Sequence, residues 1–176
     1  MKGQFLNSHT LTRLALLTAL AVVLTRLGSV EFLRAGLEPL PIIMAGVYYG
    51  PVAGGMVGAV ADITGFSVWP MGPYAPHFTL TSMLTGVIPA LVVAFAGRRN
   101  LRTLLVAVAL GQAITAIYLV PLFLEQLFQI PRAVTVPPRT VTQMIQLPVY
   151  VAILRLLEGR MPAAILRAVP ARAHSR

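Results

Sequence analysis

Apolar segments separated by short polar stretches fill almost all of the 176-residue chain, and they restrict it to a membrane-embedded fold. Charged residues make up 11% of the chain and hydrophobic residues 57%, whereas soluble domains carry about 25% charged residues. Such a chain cannot cover a water-facing surface. Because a helix needs about 20 apolar residues to cross the hydrocarbon core, the sequence predicts an all-α integral membrane bundle.

Six segments are predicted to be transmembrane helices, and together they form a single domain over residues 1–176. Polar, proline and glycine residues, which commonly end helices, separate the segments. The second segment is too short to cross a membrane unless it tilts or is extended by its neighbours. The predicted helices are 11–27, 39–49, 52–68, 79–96, 103–124 and 139–157, followed by a basic tail at 158–176.

The positive charges predict that both termini lie in the cytoplasm. With six helices both ends of the chain fall on one side, and most Lys and Arg residues fall on that side too, as expected for the cytoplasmic side. These are Lys2, Arg13, Arg98, Arg99, Arg102, Arg155, Arg160, Arg167, Arg172 and Arg176, against Arg26, Arg34, Arg132 and Arg139 on the other side. The net charge of +9 is thus explained by topology, and we expect no nucleic acid partner.

One acidic residue, Asp62, lies within a glycine-rich membrane segment, GPVAGGMVGAVADITG at 50–65. A carboxylate at mid-membrane costs about 2.5–3.5 kcal/mol on insertion scales, so it should face protein or water and have a partner. Gly54, Gly58 and Asp62 are four residues apart and share a helix face, and small residues on such a face let another helix approach closely. The pattern favours a structural hydrogen bond for Asp62. A ligand or proton site is the alternative.

A second candidate feature is the stretch WPMGPYAPHF at 69–78, which is predicted to be a loop on the outer side. It concentrates four ring side chains, those of Trp69, Tyr74, His77 and Phe78. Trp and Tyr are common at membrane interfaces, so one interpretation is an aromatic belt. The other is a gate that stacks on a flat ligand, and the residues alone do not decide between the two.

A polar stripe marks the last predicted helix, where Arg139, Gln143 and Gln146 share one face. Such a stripe lines a cavity or joins helices, and Gln112 and Tyr118 of the fifth segment are further candidates for the same cavity. Arginine presents a fork of donors that matches a carboxylate. Arg34 and Arg139 could therefore contact an acidic ligand, or they could snorkel to the head groups.

Enzyme chemistry is not indicated by the sequence. Cysteine is absent, which excludes disulfides and thiolate metal sites, and we expect no bound metal. The chain has no HExxH zinc motif, no Walker A motif and no aspartate cluster of the CDP-alcohol transferase kind. A membrane pump powered by this chain alone is likewise not expected.

Three ordered runs give a resemblance that covers roughly residues 12–157. They are PLPIIMAGVYYGPVAGGMVGAVADITG, then WPMGPYAPHFTLTSMLTGVIPAL, then PPRTVTQMIQLPVYVAIL. The chain resembles the substrate-binding S components of energy-coupling factor (ECF) vitamin transporters, and within that family it is most similar to the folate type. The resemblance implies six helices with cytoplasmic termini, in the plasma membrane of a prokaryote. It also implies a vitamin site near the extracellular face, closed by the loops after the first and third helices.

The resemblance further implies partners. A transmembrane coupling protein and two cytoplasmic ATPases would complete the importer, and the ATPases would use the ATP, so no cofactor is expected on this chain. Ala15 and Ala19, in ALLTA, match the small-residue pattern with which this family contacts its coupling protein. Two alanines one turn apart form the flat surface that helix association in lipid needs.

The expected ligand is folate or a reduced folate. Trp69, Tyr74 and Phe78 would stack on the pterin ring, Gln143 and Gln146 would bond its edge, and Arg34 or Arg139 would meet its carboxylates. His77 stands where a small residue is expected and would narrow the gate. The alternatives are an S component for thiamine, pantothenate or a queuosine precursor, and, from other classes, a lipid-modifying membrane enzyme or a structural scaffold.

Overall fold

The structure, a computed structural model, describes residues 8–27, 37–68, 70 and 74–158. Over these residues the chain is a helical bundle. The helices are α1 Ser8–Leu27, α2 Pro39–Tyr49, α3 Pro51–Val68, α4 Pro76–Ala96, α5 Leu101–Phe128 and α6 Arg132–Glu158. The last four, α3 to α6, are long and apolar enough to cross a membrane, while α1 and α2 are shorter apolar helices.

Three helices begin three or more residues before their predicted starts, and α1 is one of them, at Ser8 rather than at residue 11. α4 begins at Pro76 rather than at residue 79, since proline suits the first helical turn, where its missing N–H is not needed. His77 and Phe78 therefore belong to the first turn of α4 and not to the preceding loop. α6 begins at Arg132, seven residues before the predicted start at Arg139.

Two prolines, Pro137 and Pro138, lie between the observed and the predicted start of α6, although proline commonly ends a helix. The carbonyl groups that these prolines leave unpaired belong to Ala133 and Val134. Both of these residues are exposed in the first turn of the helix. Solvent or lipid head groups can bond carbonyls there, so the helix continues through the proline pair.

The short helix α2 forms the centre of the bundle. Its residues from Leu40 to Tyr48 are all buried, as expected for a helix that is apolar on every side. One face of α2 packs into a core with α4, α5 and α6, and another face packs with α1 and α3. The chain therefore encloses its shortest apolar helix within protein, which removes the need for α2 to cross the membrane alone.

Glycines allow three helices to touch through their backbones. Gly46 of α2, Gly54 of α3 and Gly86 of α4 meet at one point. A Cβ atom on Gly54 would lie 2.6 Å from the Cα of Gly46 and 2.9 Å from the carbonyl carbon of Gly86. One turn further along α3, Gly58 lies against the backbone of Ser82 in α4. Side chains at these positions would force the helices apart.

The middle of α5 departs from α-helical geometry. Residues Ala113–Leu119 form a π-helical segment, in which the N–H of Val120 donates to the carbonyl of Thr115. Pro121 follows, and its missing N–H cannot restore the regular pattern. Such π segments are rare and occur often at functional sites. Here the segment lies immediately after the buried Gln112.

Substitution of Gly54 tests the glycine contact, and the same substitution at the neighbouring Gly55 is the control. Gly54→Ala is expected to lower the free energy of unfolding by about 1–3 kcal/mol, because overpacking against backbone cannot be relieved by a rotamer change. In Gly55→Ala the new Cβ would meet only Cγ2 of Val87, at 3.1 Å. Alanine also favours a helix by about 1 kcal/mol over glycine. Unfolding of both variants in detergent, followed by circular dichroism, makes the comparison, and equal losses would contradict the contact.

Candidate ligand site

The end of the bundle where α3 ends and α4 begins, here called the loop end, carries a relay of hydrogen bonds. The hydroxyl of Thr79 donates to Oδ2 of Asp62 at 2.6 Å, so the hydroxyl of Tyr74 donates in turn to Thr79 Oγ1 at 2.7 Å. The Tyr74 ring also packs on Phe66, with centroids 5.1 Å apart. Asp62 thus has a partner on α4 and fixes the position of Tyr74 in the segment before that helix.

Asp62 lies in the half of α3 that is nearer the loop end. It is six residues from the end of α3 at Val68, which corresponds to about 9 Å along the helix axis. A carboxylate within an apolar segment needs a partner inside the protein, and the hydroxyl of Thr79 is that partner. The geometry gives Asp62 a structural hydrogen bond.

Aromatic contacts tie the start of α4 to the end of α5. The rings of His77 and Phe123 lie 4.9 Å apart, and those of Phe78 and Phe128 lie 6.4 Å apart. His77 thus contacts an aromatic neighbour within the protein. A short ion pair between Glu125 and Arg132 joins α5 to the first residue of α6.

The depth of the polar residues inside the bundle can be counted from this ion pair. α5 and α6 run antiparallel from the Glu125–Arg132 contact, since residues near Leu104 in α5 share a core with residues near Leu154 in α6. Gln112 lies 13 residues before Glu125, and Gln146 lies 14 residues after Arg132. The two glutamines are therefore at the same depth, about 20 Å from the loop end.

Three glutamine side chains at this depth have buried polar atoms that form no hydrogen bond with the residues that the structure describes. The Nε2 atoms of Gln112 and Gln146 and the Oε1 atom of Gln143 are all in this state. Gln112 and Gln146 are only 4% and 5% exposed, and the Oε1 of Gln146 accepts from the hydroxyl of Tyr150 at 3.1 Å. An unpaired buried polar group costs about 1–3 kcal/mol. The arrangement can serve a ligand that offers two acceptors and one donor.

A pair of opposite charges lies towards the loop end from the glutamines. Arg139 shares a face of α6 with Gln143 and Gln146 and lies seven residues from the latter, about 10 Å along the axis. The carboxylate of Glu38, at the start of α2, acts electrostatically on both Arg139 and Tyr150. α2 and α6 therefore approach one another near Arg139. The side chains of Gln112, Gln143, Gln146 and Arg139 are together called the polar row.

The structure places the other candidate residues as follows. Tyr118 is 61% exposed and does not join the buried glutamines. Ala15 and Ala19 are exposed on α1. Arg34 and Trp69 lie outside the described residues. Within the residues that the structure describes, no group of three or more His, Asp or Glu side chains could hold a metal ion.

Sequence reasoning missed Glu38 and gave Gln112 too little weight. Glu38 lies in a short polar stretch between two predicted helices and directly precedes the proline that begins α2. Gln112 is the one strongly polar side chain between Arg102 and Glu125. A single amide side chain in an otherwise apolar segment is the signal in the sequence that points to Gln112.

Comparison with known proteins adds three findings. A family model described as the substrate-specific component of ECF transporters matches residues 9–169. The folate transporter FolT of Clostridium novyi (strain NT) is 36% identical over 77 residues, which are 43% of this chain and 45% of that protein. The match therefore spans less than half the length of this curated relative.

A crystal structure of FolT bound with folic acid has a similar fold. The TM-score is 0.74 at 25% sequence identity, with 88% of this chain and 95% of that chain covered. The similarity thus extends over most of both chains. Since the family model also matches nearly the whole chain, the protein belongs to the substrate-specific components of ECF transporters.

Proposed function

We propose that this chain captures folate or a reduced folate from outside the cell for uptake by an ECF importer. The proposal is supported by the family, by two similar proteins named for folate transport or binding, and by the chemistry of the polar row on α5 and α6. As a substrate-binding component it would catalyse no reaction and carry no cofactor. Partner ATPases would supply the energy.

The observation that carries the proposal is the set of unpaired amide atoms of Gln112, Gln143 and Gln146. A pterin ring is flat and presents ring nitrogens and a carbonyl as acceptors, with N–H groups as donors, along its edges. Two amide N–H₂ groups and one amide oxygen would therefore find partners on the ring. Binding would recover the free energy that these atoms lose by being buried without partners.

Arg139 suits the other end of a folate. The glutamyl tail carries carboxylates, and arginine has five N–H donors, so Arg139 can interact with Glu38 and still bind a ligand carboxylate. Its position, about 10 Å nearer the loop end than Gln146, would place the ring deep and the tail shallow. Arg34, on the segment before α2, is a second proposed partner for the tail.

The segment between α3 and α4 is proposed to close the site. Tyr74 is held by the Thr79–Asp62 relay, while His77 and Phe78 contact α5. Movement of this segment would therefore be coupled to α3, which carries Asp62, and to α5. Trp69, Tyr74 and Phe78 are the rings proposed to stack on the ligand, with His77 narrowing the entrance.

The proposed topology has six transmembrane helices, both termini in the cytoplasm and the loop end outside, in the plasma membrane of a prokaryote. Its support is the charge distribution, since Arg98, Arg99, Arg102 and Arg155 lie at the end opposite to the loop end. Positive residues favour the cytoplasmic side. The partners in the membrane would be the coupling protein and, through it, two cytoplasmic ATPases.

Folate titration of the purified chain tests the proposal. We expect folic acid to bind, observed by calorimetry and by the fluorescence of Trp69, the one Trp in the sequence. Gln112→Leu should weaken binding roughly 5- to 150-fold, the equivalent of about 1–3 kcal/mol for one hydrogen bond. Its melting temperature should stay the same or rise, because the amide nitrogen that is removed has no partner.

Gln126→Leu is the matched control, since Gln126 is an exposed glutamine on the same helix. It should bind folic acid as the unaltered chain does. Binding of thiamine, pantothenate or a queuosine precursor with no response to folates would overturn the ligand assignment. Folate binding that is unchanged in Gln112→Leu, and also in Gln143→Leu, would overturn the assignment of the site.

A second prediction concerns the partner surface on α1. Replacing both Ala15 and Ala19 with Trp should abolish co-purification with the coupling protein and ATPases, because bulky side chains keep helices apart in lipid. Folate binding should be retained, since both positions are exposed. Leu20→Trp is the control, because Leu20 is exposed on α1 and is not three or four residues from either alanine. Assembly that survives the double substitution would contradict the proposed contact.

A further inference from the structure

The end of the bundle opposite to the loop end, here called the arginine end, contains an open cleft of about 430 Å³ between the start of α5 and the end of α6. This basic cleft is lined by Arg98, Asn100, Leu101, Arg102, Thr103 and Arg155. It is separate from the buried glutamines, which lie at mid-depth. Neither the vitamin site nor the proposed partner surface on α1 uses these residues.

Positive charge in and beside the basic cleft is largely uncompensated. Among the described residues near it, Glu158 is the one acidic side chain, and it accepts a hydrogen bond from Nη1 of Arg155 at 3.1 Å. Arg98, Arg99 and Arg102 remain without an ion pair in the described part of the chain. In the part of the chain that the structure describes, one carboxylate, that of Glu158, therefore faces four arginines at this end.

Arg99 contributes charge from below the surface. Its Cζ lies 5.7 Å from the centre of the Tyr48 ring, and its Nη2 atom is buried without a hydrogen-bond partner. Burial lowers the pKa of the Arg99 guanidinium, while Glu158 and Tyr48 act in the opposite direction. Arginine nevertheless remains charged at neutral pH, so this end of the bundle keeps a fixed positive potential.

The backbone adds further donors. α5 begins at Leu101, and Asn100, which precedes it, makes no side-chain capping bond. The N–H groups of the first turn therefore have no intrahelical partner and lie at the positive end of the helix dipole. Phosphate and other oxyanions bind readily at such a terminus when basic side chains surround it.

The walls of the cleft are partly apolar, and this favours a lipid over a free anion as the ligand. Leu101, which lines the cleft, is 48% exposed, and Phe95, one turn before the arginines, is 75% exposed. Leu156, which follows Arg155 in the sequence, is also exposed, and both Leu156 and Phe95 lie outside the lining of the cleft itself. A ligand in this position would have its phosphate among arginines and its hydrocarbon against apolar side chains.

From these observations we infer that the basic cleft is a binding site for the phosphate head group of an anionic phospholipid. Basic pockets between membrane helices on the cytoplasmic side recognise such head groups. The site would hold the α4–α5 turn against the end of α6 from the lipid side. The inference does not depend on which vitamin the chain binds.

Native mass spectrometry of the full chain in neutral detergent tests the site. With equimolar phosphatidylglycerol and phosphatidylcholine present, we expect preferential retention of phosphatidylglycerol. The double variant Arg98→Gln/Arg102→Gln should reduce that preference about 25-fold, since each arginine near a membrane surface contributes about fivefold in affinity. Both residues are exposed, so the variant should fold, and its melting temperature in detergent checks this.

Arg132→Gln is the control, because it removes one exposed arginine at the loop end. It should leave the lipid preference unchanged. Equal retention of the two lipids, or an equal loss in Arg132→Gln, would overturn the inference. So would displacement of phosphatidylglycerol by inorganic phosphate at equal concentration, which would show a free-anion site. Unchanged lipid preference with lost binding of the coupling protein in the double variant would assign the arginines to the protein partner instead.

Discussion

The close approach of α2, α3 and α4 at Gly46, Gly54 and Gly86 is the contact on which the remaining architecture depends. Membrane helices gain little from apolar burial against one another, because lipid is equally apolar, so close backbone packing carries much of their association. Here it encloses α2, an 11-residue helix that is too short to be a span. The enclosed helix then contributes side chains to both hydrophobic core clusters.

This packing also determines where polar groups can lie. While α2, α3 and α4 pack through glycines, the polar row lies on α5, which contains a π-helical segment, and on α6, which contains three prolines. Gln112, Gln143 and Gln146 retain buried atoms without partners at that place. A protein that binds a polar ligand must keep some hydrogen-bonding capacity unused until the ligand arrives, and this costs stability in the free state.

Several elements could be predicted from the sequence because the signals were local. Glycine at every fourth position before Asp62 indicated a packed helix face, and the structure has α4 lying against that face. The shared face of Arg139, Gln143 and Gln146 followed from helical periodicity alone. The low charge content determined the all-helical membrane class before any motif was considered.

Other features depend on contacts between distant segments, which one sequence does not display. The continuation of α6 through Pro137 and Pro138 depends on exposure of the carbonyl groups that they leave unpaired. The proximity of Glu38 to Arg139 arises only when α2 packs beside α6. The depth shared by Gln112 and Gln146 likewise requires the antiparallel packing of α5 against α6.

An experimental structure of the chain with folic acid would test the central claim most directly, namely that the unpaired amides of α5 and α6 bind the ligand. The account predicts a flat ring within hydrogen-bonding distance of Gln112, Gln143 and Gln146, with the glutamyl tail directed towards Arg139. A folate bound elsewhere, with the three amides still unpaired or bonded only to water, would contradict it.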